Sequence, residues 1–461
     1  MSTLPPNRLD GSILYLTLVC LVATLGGLLF GYDTAVINGA IGPLREYFAL
    51  SPAMEGWATS CALVGCFLGA ALAGVLSDRF GRRNLLILSA VLFLVSAIGT
   101  AVPKTLLTFI VFRIVGGIGV GAASLTSPMY IAEISPARIR GRMVSVNQLA
   151  IVTGISVVYF VNYFIAMAGD STWIVQLGWR WMFASEALPA IVLLLLLLLV
   201  PESPRWLTKQ GRSDEALDIL ARVDGSAFAQ REMVEIKDAL AQESSSIFQL
   251  FHPGMRVALL IGLVLAVLQQ VTGINVFLYY GTEIFKSVAG SNVDVAMLQT
   301  VLLGLVNLVF TLIAIWTVDR LGRRPLMIVG ATGMGLAMFA LGSAAYFDRI
   351  GAWLLLVVLV YTACFALSVG PVTWVILSEI FPTKIRGRAM AIATGALWLA
   401  NSAVSWTFPM MDRNAWLIEN FRHGFPFWLY GGFCVALVAF MIWVVPETKG
   451  KTLEEIERRW R

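Results

Sequence analysis

Charge is what this sequence lacks. Lysine, arginine, aspartate and glutamate make up 13% of its 461 residues, about half the share found in an ordinary soluble domain. Apolar residues reach 58%. So few charges cannot cover a water-exposed surface, which excludes a soluble globular protein and, equally, a disordered chain. Histidine is almost missing: His252 and His423 are the only two, too far apart in sequence to suggest a metal site. The five cysteines (Cys20, Cys61, Cys66, Cys364, Cys434) lie in or beside apolar runs without metal-ligand spacing. They read as small hydrophobes packed between helices. The net charge of +5 comes from residues at the ends of apolar runs and forms no separate basic domain, so nucleic acid is not an expected partner. No nucleophile–base–acid set, phosphate loop or metal motif is found. Neither an enzyme nor a cofactor is expected.

What the sequence has instead is long apolar runs. Twelve are of helix length, from 13–31 through a sixth at 183–200 to 425–445, and each is long enough to cross a bilayer. The expected fold class is an all-α membrane protein with twelve transmembrane helices. The first run is followed by no small-residue cleavage pattern, so it is expected to stay as the first span. With both termini on the cytoplasmic side, 25 of the 33 lysines and arginines fall in inner segments and seven in outer loops, as the positive-inside rule requires. A plasma-membrane protein with both ends inside is the expectation.

The chain repeats itself. DRFGRR at 78–83 returns as DRLGRR at 319–324; Glu133 with RGR at 140–142 returns as Glu379 with RGR at 386–388; PES at 201–203 returns as PET at 446–448. The three offsets are nearly equal and the order is kept, which implies two parallel six-span halves with a site between them near the midplane. The expected divisions are 1–200, a cytoplasmic linker 201–255 of short amphipathic helices, 256–446, and a C-terminal helix 447–461 opened by the capping box Thr452–Glu455. Gly65 and Gly69, like Gly117 and Gly121, are spaced for close helix contact.

Two charges lie inside apolar runs. Asp33 and Arg113 would each cost roughly 2.5–3.5 kcal/mol at bilayer depth. They are either a fixed ion pair or a proton switch in which Asp33 gains and loses its tie to Arg113. A second polar set is made of carboxamides: Gln148, Gln269, Gln270, Asn275, Asn307 and Asn401. Single amides are often interhelical glue. Gln269, Gln270 and Asn275 put three within seven residues, too polar for lipid, and amides both donate and accept hydrogen bonds without carrying charge. Trp374 and Trp398 sit mid-span and offer apolar faces. A third set lies at the inner face: Asp78, Arg82, Glu133, Arg142 and Glu202, matched by Asp319, Arg323, Glu379, Arg388 and Glu447. The positive-inside rule explains its arginines but not its acids. The set is expected to form salt-bridge clasps that hold the inner side shut, Glu133 with Arg142 and Glu379 with Arg388 among them.

The motifs GGLLFGYDTAVING (26–39), DRFGRR, PMYIAEISPARIRGR (128–142), PESPRWL (201–207), QQVTGINVFLYY (269–280), GPVTWVILSEIFPTKIRGRAMA (370–391) and PETKGKTLEE (446–455) resemble the sugar porter family of the major facilitator superfamily. The resemblance covers nearly the whole chain. It implies a monomeric proton-coupled symporter that imports a neutral monosaccharide by alternating access. D-xylose is the first expectation, with glucose or another hexose or pentose, or uncoupled facilitation, as the alternative. Proton-coupled members carry Asp at the position of Asp33. By the same resemblance Gln148, Gln269, Gln270, Asn275 and Trp374 bind sugar, followed by Asn307, Trp398 and Asn401. Leu397 departs from the family, in which an amide commonly precedes that tryptophan, and this leaves the identity of the sugar open.

Overall fold

The computed structural model describes residues 12–241, 253–288, 293–349, 351–381, 386–447 and 449. The capping box Thr452–Glu455 and the side chain of Asp319 lie outside the described residues. Among those described, the regular structure is helical, without strands. Eleven helices are long and apolar enough to span a bilayer: α1 (Ile13–Phe48), α2 (Pro52–Phe80), α3 (Arg82–Ala101), α4 (Leu106–Ile134), α5 (Ala137–Ala166), α6 (Ser171–Leu197), α7 (Met255–Lys286), α8 (Asp294–Val318), α9 (Arg323–Tyr346), α10 (Trp353–Ile380) and α12 (Phe425–Trp443). Helix α11 (Arg386–Asp412) has span length. It is less apolar because it buries Asn401, Ser402 and Ser405. Large apolar residues such as Leu72, Val75, Leu188 and Leu199 stay exposed on outward faces, as a lipid-facing surface requires.

Several helices differ from the apolar runs. Helix α1 continues to Phe48, well past residue 31, because the polar groups of its second part find partners on α5 and α7. Helix α6 begins at Ser171 rather than near 183 and contains a π-helical turn, Ile174–Gly178. Helix α7 is broken between Val271 and Ile274. A second π-helical turn, Phe365–Val369, precedes Gly370–Pro371 in α10.

The repeat is visible in the backbone. Gly81 (φ +95°) joins α2 to α3, and Gly322 (φ +91°) joins α8 to α9. This backbone region is essentially open only to glycine, which accounts for the glycine in both copies of the motif. Helices α2 and α4 pack closely, as do α9 and α12, while α2 against α11 and α5 against α8 form seams between the first six spans and the last six. Helices Pro204–Lys209, Ser213–Asp224 and Ser226–Ala241 follow α6 and share a small core of Leu207, Ala216, Leu220, Ala229, Met233 and Ile236. Arg138 to Asp224 (2.8 Å) and Arg140 to Glu232 (3.1 Å) tie them to α5. Burial raises the Glu232 carboxyl above its ordinary pKa, and Arg140 partly offsets this.

The α2–α4 contact is so close that a Cβ on Gly117 would collide with the carbonyl oxygen of Ala62. Gly117→Ala must therefore push the helices apart, and overpacking of this kind costs roughly 1–3 kcal/mol. A thermal melt in detergent should show the midpoint several degrees lower. An unchanged midpoint would mean that the two helices are not this close.

Candidate functional site

Asp33 on α1 and Arg113 on α4 meet inside the protein, both essentially inaccessible to solvent. The Arg113 Nη1 stands 2.7 Å from the Asp33 Oδ1 and also donates to the Asp33 carbonyl at 3.2 Å. The guanidinium lies 5.4 Å from the centre of the Phe183 ring. A third ionisable group, Glu186 on α6, is buried beside both. The Glu186 carboxyl is within hydrogen-bond reach of Asp33, and among the described residues its two oxygens and the Asp33 Oδ2 have no N–H or O–H donor, so a bond between the two acids needs a proton on one of them. Sequence reasoning missed Glu186. The signal existed, since Glu186 lies within the apolar run 183–200, but it stands close to the end of that run, where charges are ordinary. Two carboxyls around one guanidinium, away from water, can take up and release a proton.

The amides of α7 form a connected row. Gln269 Nε2 donates to the carbonyls of Val369 (3.1 Å) and Gly370 (3.0 Å) on α10. Gln270 Nε2 donates to Gln269 Oε1 at 3.2 Å, and Asn275 Nδ2 donates to Gln270 Oε1. The row follows the break in the helix. Gly273 there has φ +93°, with the Tyr430 ring packed against it, and Tyr361 donates its hydroxyl to the Thr272 carbonyl at 2.8 Å. Trp374 is half-buried on the segment of α10 that accepts from Gln269. On α11, Trp398 is buried against Phe30, ring centres 5.4 Å apart, and its Nε1 has no hydrogen-bond partner among the described residues. One turn away, Asn401 Nδ2 donates to the Tyr279 hydroxyl at 3.2 Å. Leu397 is buried next to Trp398. Gln148 on α5 is half-buried and Asn307 on α8 is buried; neither makes a hydrogen bond to a described residue. The structure thus joins Gln269, Gln270 and Asn275 directly, and it links neither Gln148 nor Asn307 to them.

A further residue was not anticipated. Asn38 on α1 uses both ends of its amide on the outer part of α7. Its Nδ2 donates to the carbonyls of Phe277 (3.2 Å) and Leu278 (2.8 Å). Its Oδ1 accepts from the Thr282 N–H (3.1 Å) and hydroxyl (2.7 Å). Tyr159 on α5 also donates to the Leu278 carbonyl, at 2.7 Å. Such fully satisfied buried bonds fix two elements in one arrangement.

At the inner face the charges form two similar clusters. Arg82 grips Glu133 with Nε and Nη2, both at 2.9 Å, and reaches Asp78 at 3.2 Å. The Ser203 hydroxyl donates to Glu133 at 2.5 Å. Glu202 accepts from the N–H groups of Arg82 (2.9 Å) and Arg83 (3.0 Å), capping α3. In the other copy, Arg323 pairs with Glu379 at 2.8 Å, and Glu447 accepts from the N–H groups of Arg323 (3.2 Å) and Arg324 (3.0 Å). The expected Glu133–Arg142 pair is absent: Arg142 is exposed on α5 and makes no ion pair with a described residue. Glu133 is held instead by Arg82 and the Ser203 hydroxyl. Arg388 is half-buried. These ion pairs bind elements within each set of six spans rather than one set to the other.

Known proteins resemble this chain over nearly its whole length. The family model described as "Sugar (and other) transporter" matches residues 19–460. The D-xylose-proton symporter of Escherichia coli strain K12 is 49% identical, over 97% of this chain and 96% of that protein. The arabinose-proton symporter of Bacillus subtilis strain 168 is 43% identical, over 99% and 97%. The inward-open conformation of the E. coli xylose transporter XylE has a TM-score of 0.85 at 47% identity, covering 97% of this chain and 100% of the other. The chain therefore belongs to the sugar transporter family and has the major facilitator fold.

Proposed function

We propose that this protein is a proton-coupled symporter that carries a neutral monosaccharide, D-xylose first, into the cell by alternating access. The observation that carries this reading is the buried cluster of Asp33, Arg113 and Glu186. One guanidinium balances one carboxylate, so the electrically neutral cluster holds a proton on one of the two acids. With the proton on Asp33, Arg113 turns to Glu186 and α1 is released from α4. When Asp33 passes its proton on, by way of Glu186 to the inner side, it draws Arg113 back. The two states favour different positions of α1, and α1 reaches α7 through Asn38.

Sugar is bound in this reading by the amides of α7, with Gln148, Asn307 and Asn401 as further hydrogen-bonding groups and Trp374 and Trp398 as apolar walls. D-xylose is supported by the 49% identical relative named for it. Arabinose, named in the 43% identical one, is also a pentose. The inner-face clusters Asp78–Arg82–Glu133–Glu202 and Arg323–Glu379–Glu447 stiffen each half as it rocks, and Arg142, Arg388 and Asp319 are assigned to the same inner gate. They engage across the halves when the inner side closes. The protein acts as a monomer in a bacterial inner membrane, both termini cytoplasmic, and changes its substrate's location rather than its chemistry.

The test is uptake into proteoliposomes with an acid exterior and a negative interior. Labelled D-xylose should accumulate above its outside concentration, the external medium should turn alkaline as it does, and a protonophore should abolish both. Unlabelled pentoses should compete better than disaccharides. Uptake that stops at equal concentrations, with no proton movement, would refute coupling.

A further inference from the structure

At the outer ends of the helices, five charged side chains from both halves meet. Arg45 on α1 stands 2.7 Å from Glu283 on α7 and 3.4 Å from Glu55 at the start of α2. Arg413, just past α11, grips the same Glu55 with both terminal nitrogens, at 2.7 and 3.2 Å. Lys286 completes the group at 2.7 Å from Glu283. Glu55 is the buried centre, 1% exposed, whereas Arg45 and Arg413 are 27% and 34% exposed. Two of these contacts, Arg45–Glu283 and Glu55–Arg413, cross from one half to the other. Neutral bonds run alongside them: Trp406 on α11 donates to the Ala53 carbonyl at 3.1 Å, and its ring lies 5.6 Å from that of Trp57. In sequence, Arg45, Glu55 and Arg413 look like ordinary charges at span ends.

We propose that Glu55 is the pin of an ionic latch that holds the outer side of the protein shut and sets how often it opens. The proposal rests on the alternating-access reading above. For sugar to enter from outside, the outer ends of α1 and α2 must part from those of α7 and α11, and both crossing ion pairs must break. A carboxylate held this deep between two arginines is little screened by salt. Replacing Glu55 by glutamine keeps its shape but removes the charge that holds Arg413 across the seam, while Arg45 keeps Glu283 as its carboxylate. The closed form then loses its pin, the outward-open population rises, and external sugar finds its site more often. Glu55, Arg45 and Arg413 are thus positioning residues that act on the equilibrium without touching sugar.

Spin labels on Ala53→Cys and Glu419→Cys, both exposed positions on opposite sides of the seam, read this equilibrium by pulsed electron resonance in nanodiscs. Glu55→Gln should raise the long-distance fraction five- to tenfold and lower the external half-saturation concentration by a similar factor. Arg413→Gln, on a more exposed residue that puts folding at less risk, should shift it in the same direction. The double variant should go little further than the larger single effect, as coupled partners do. If sugar changes the distances but none of these variants does, the latch is refuted and alternating access stands. If no condition or variant changes them, both readings fall together.

Discussion

Asp33→Asn is expected to abolish concentrative uptake while leaving sugar exchange across the membrane nearly intact. A charge moving through about 100 mV yields about 2.3 kcal/mol, and one pH unit adds about 1.4, together enough for roughly 500-fold accumulation. Asparagine has the shape of aspartate and can still accept a hydrogen bond from Arg113, so the helices around it can keep their packing. Glu186, buried alongside, provides the carboxylate that Arg113 then needs. What asparagine cannot do is carry a proton. The roughly 500-fold gradient should therefore fall to unity, counterflow should stay within a few-fold of the original, and the dependence of uptake on external pH should flatten. If the variant still concentrates sugar, Asp33 is not the coupling group and the fixed-ion-pair reading takes its place.

Legibility in the sequence followed a physical divide. The number of spans, the duplication and the buried pair Asp33–Arg113 could be read because each depends on a pattern along one stretch of chain. An apolar run, a repeated motif and a charge at bilayer depth need no knowledge of neighbours. Glu186 obeys the same rule and was missed only because it stands near the end of its run. The rest depends on which helices face each other. Arg142 reads like a partner for Glu133 until folding shows Arg82 and Ser203 already there. Asn38 looks like an isolated amide until α7 arrives beside it with two carbonyls and a threonine. Arg45 and Glu55 are near neighbours in sequence, but Glu283 and Arg413 lie hundreds of residues away, and only the closing of the two halves at their outer ends makes them one pattern.

Gln270→Ala should have the second largest effect, of the opposite kind: weaker sugar binding with coupling preserved. Gln270 is the middle of the α7 amide row, donating to Gln269 and accepting from Asn275. Its removal takes away one set of bonds to sugar and frees its two neighbours from the orientation it imposes. A buried sugar hydroxyl left without its partner costs about 1–3 kcal/mol, which is roughly a 5- to 150-fold rise in the half-saturation concentration. The proton cluster lies on α1, α4 and α6, helices that this substitution does not touch. At saturating sugar the accumulation ratio should therefore stay near that of the unaltered protein, because the ratio depends on one proton per sugar and not on affinity. Initial rates across a sugar series, together with the final gradient at high sugar, separate the two quantities. A variant that binds sugar normally would remove the amide row from the site. One that binds normally yet loses its gradient would show that α7 governs coupling rather than recognition.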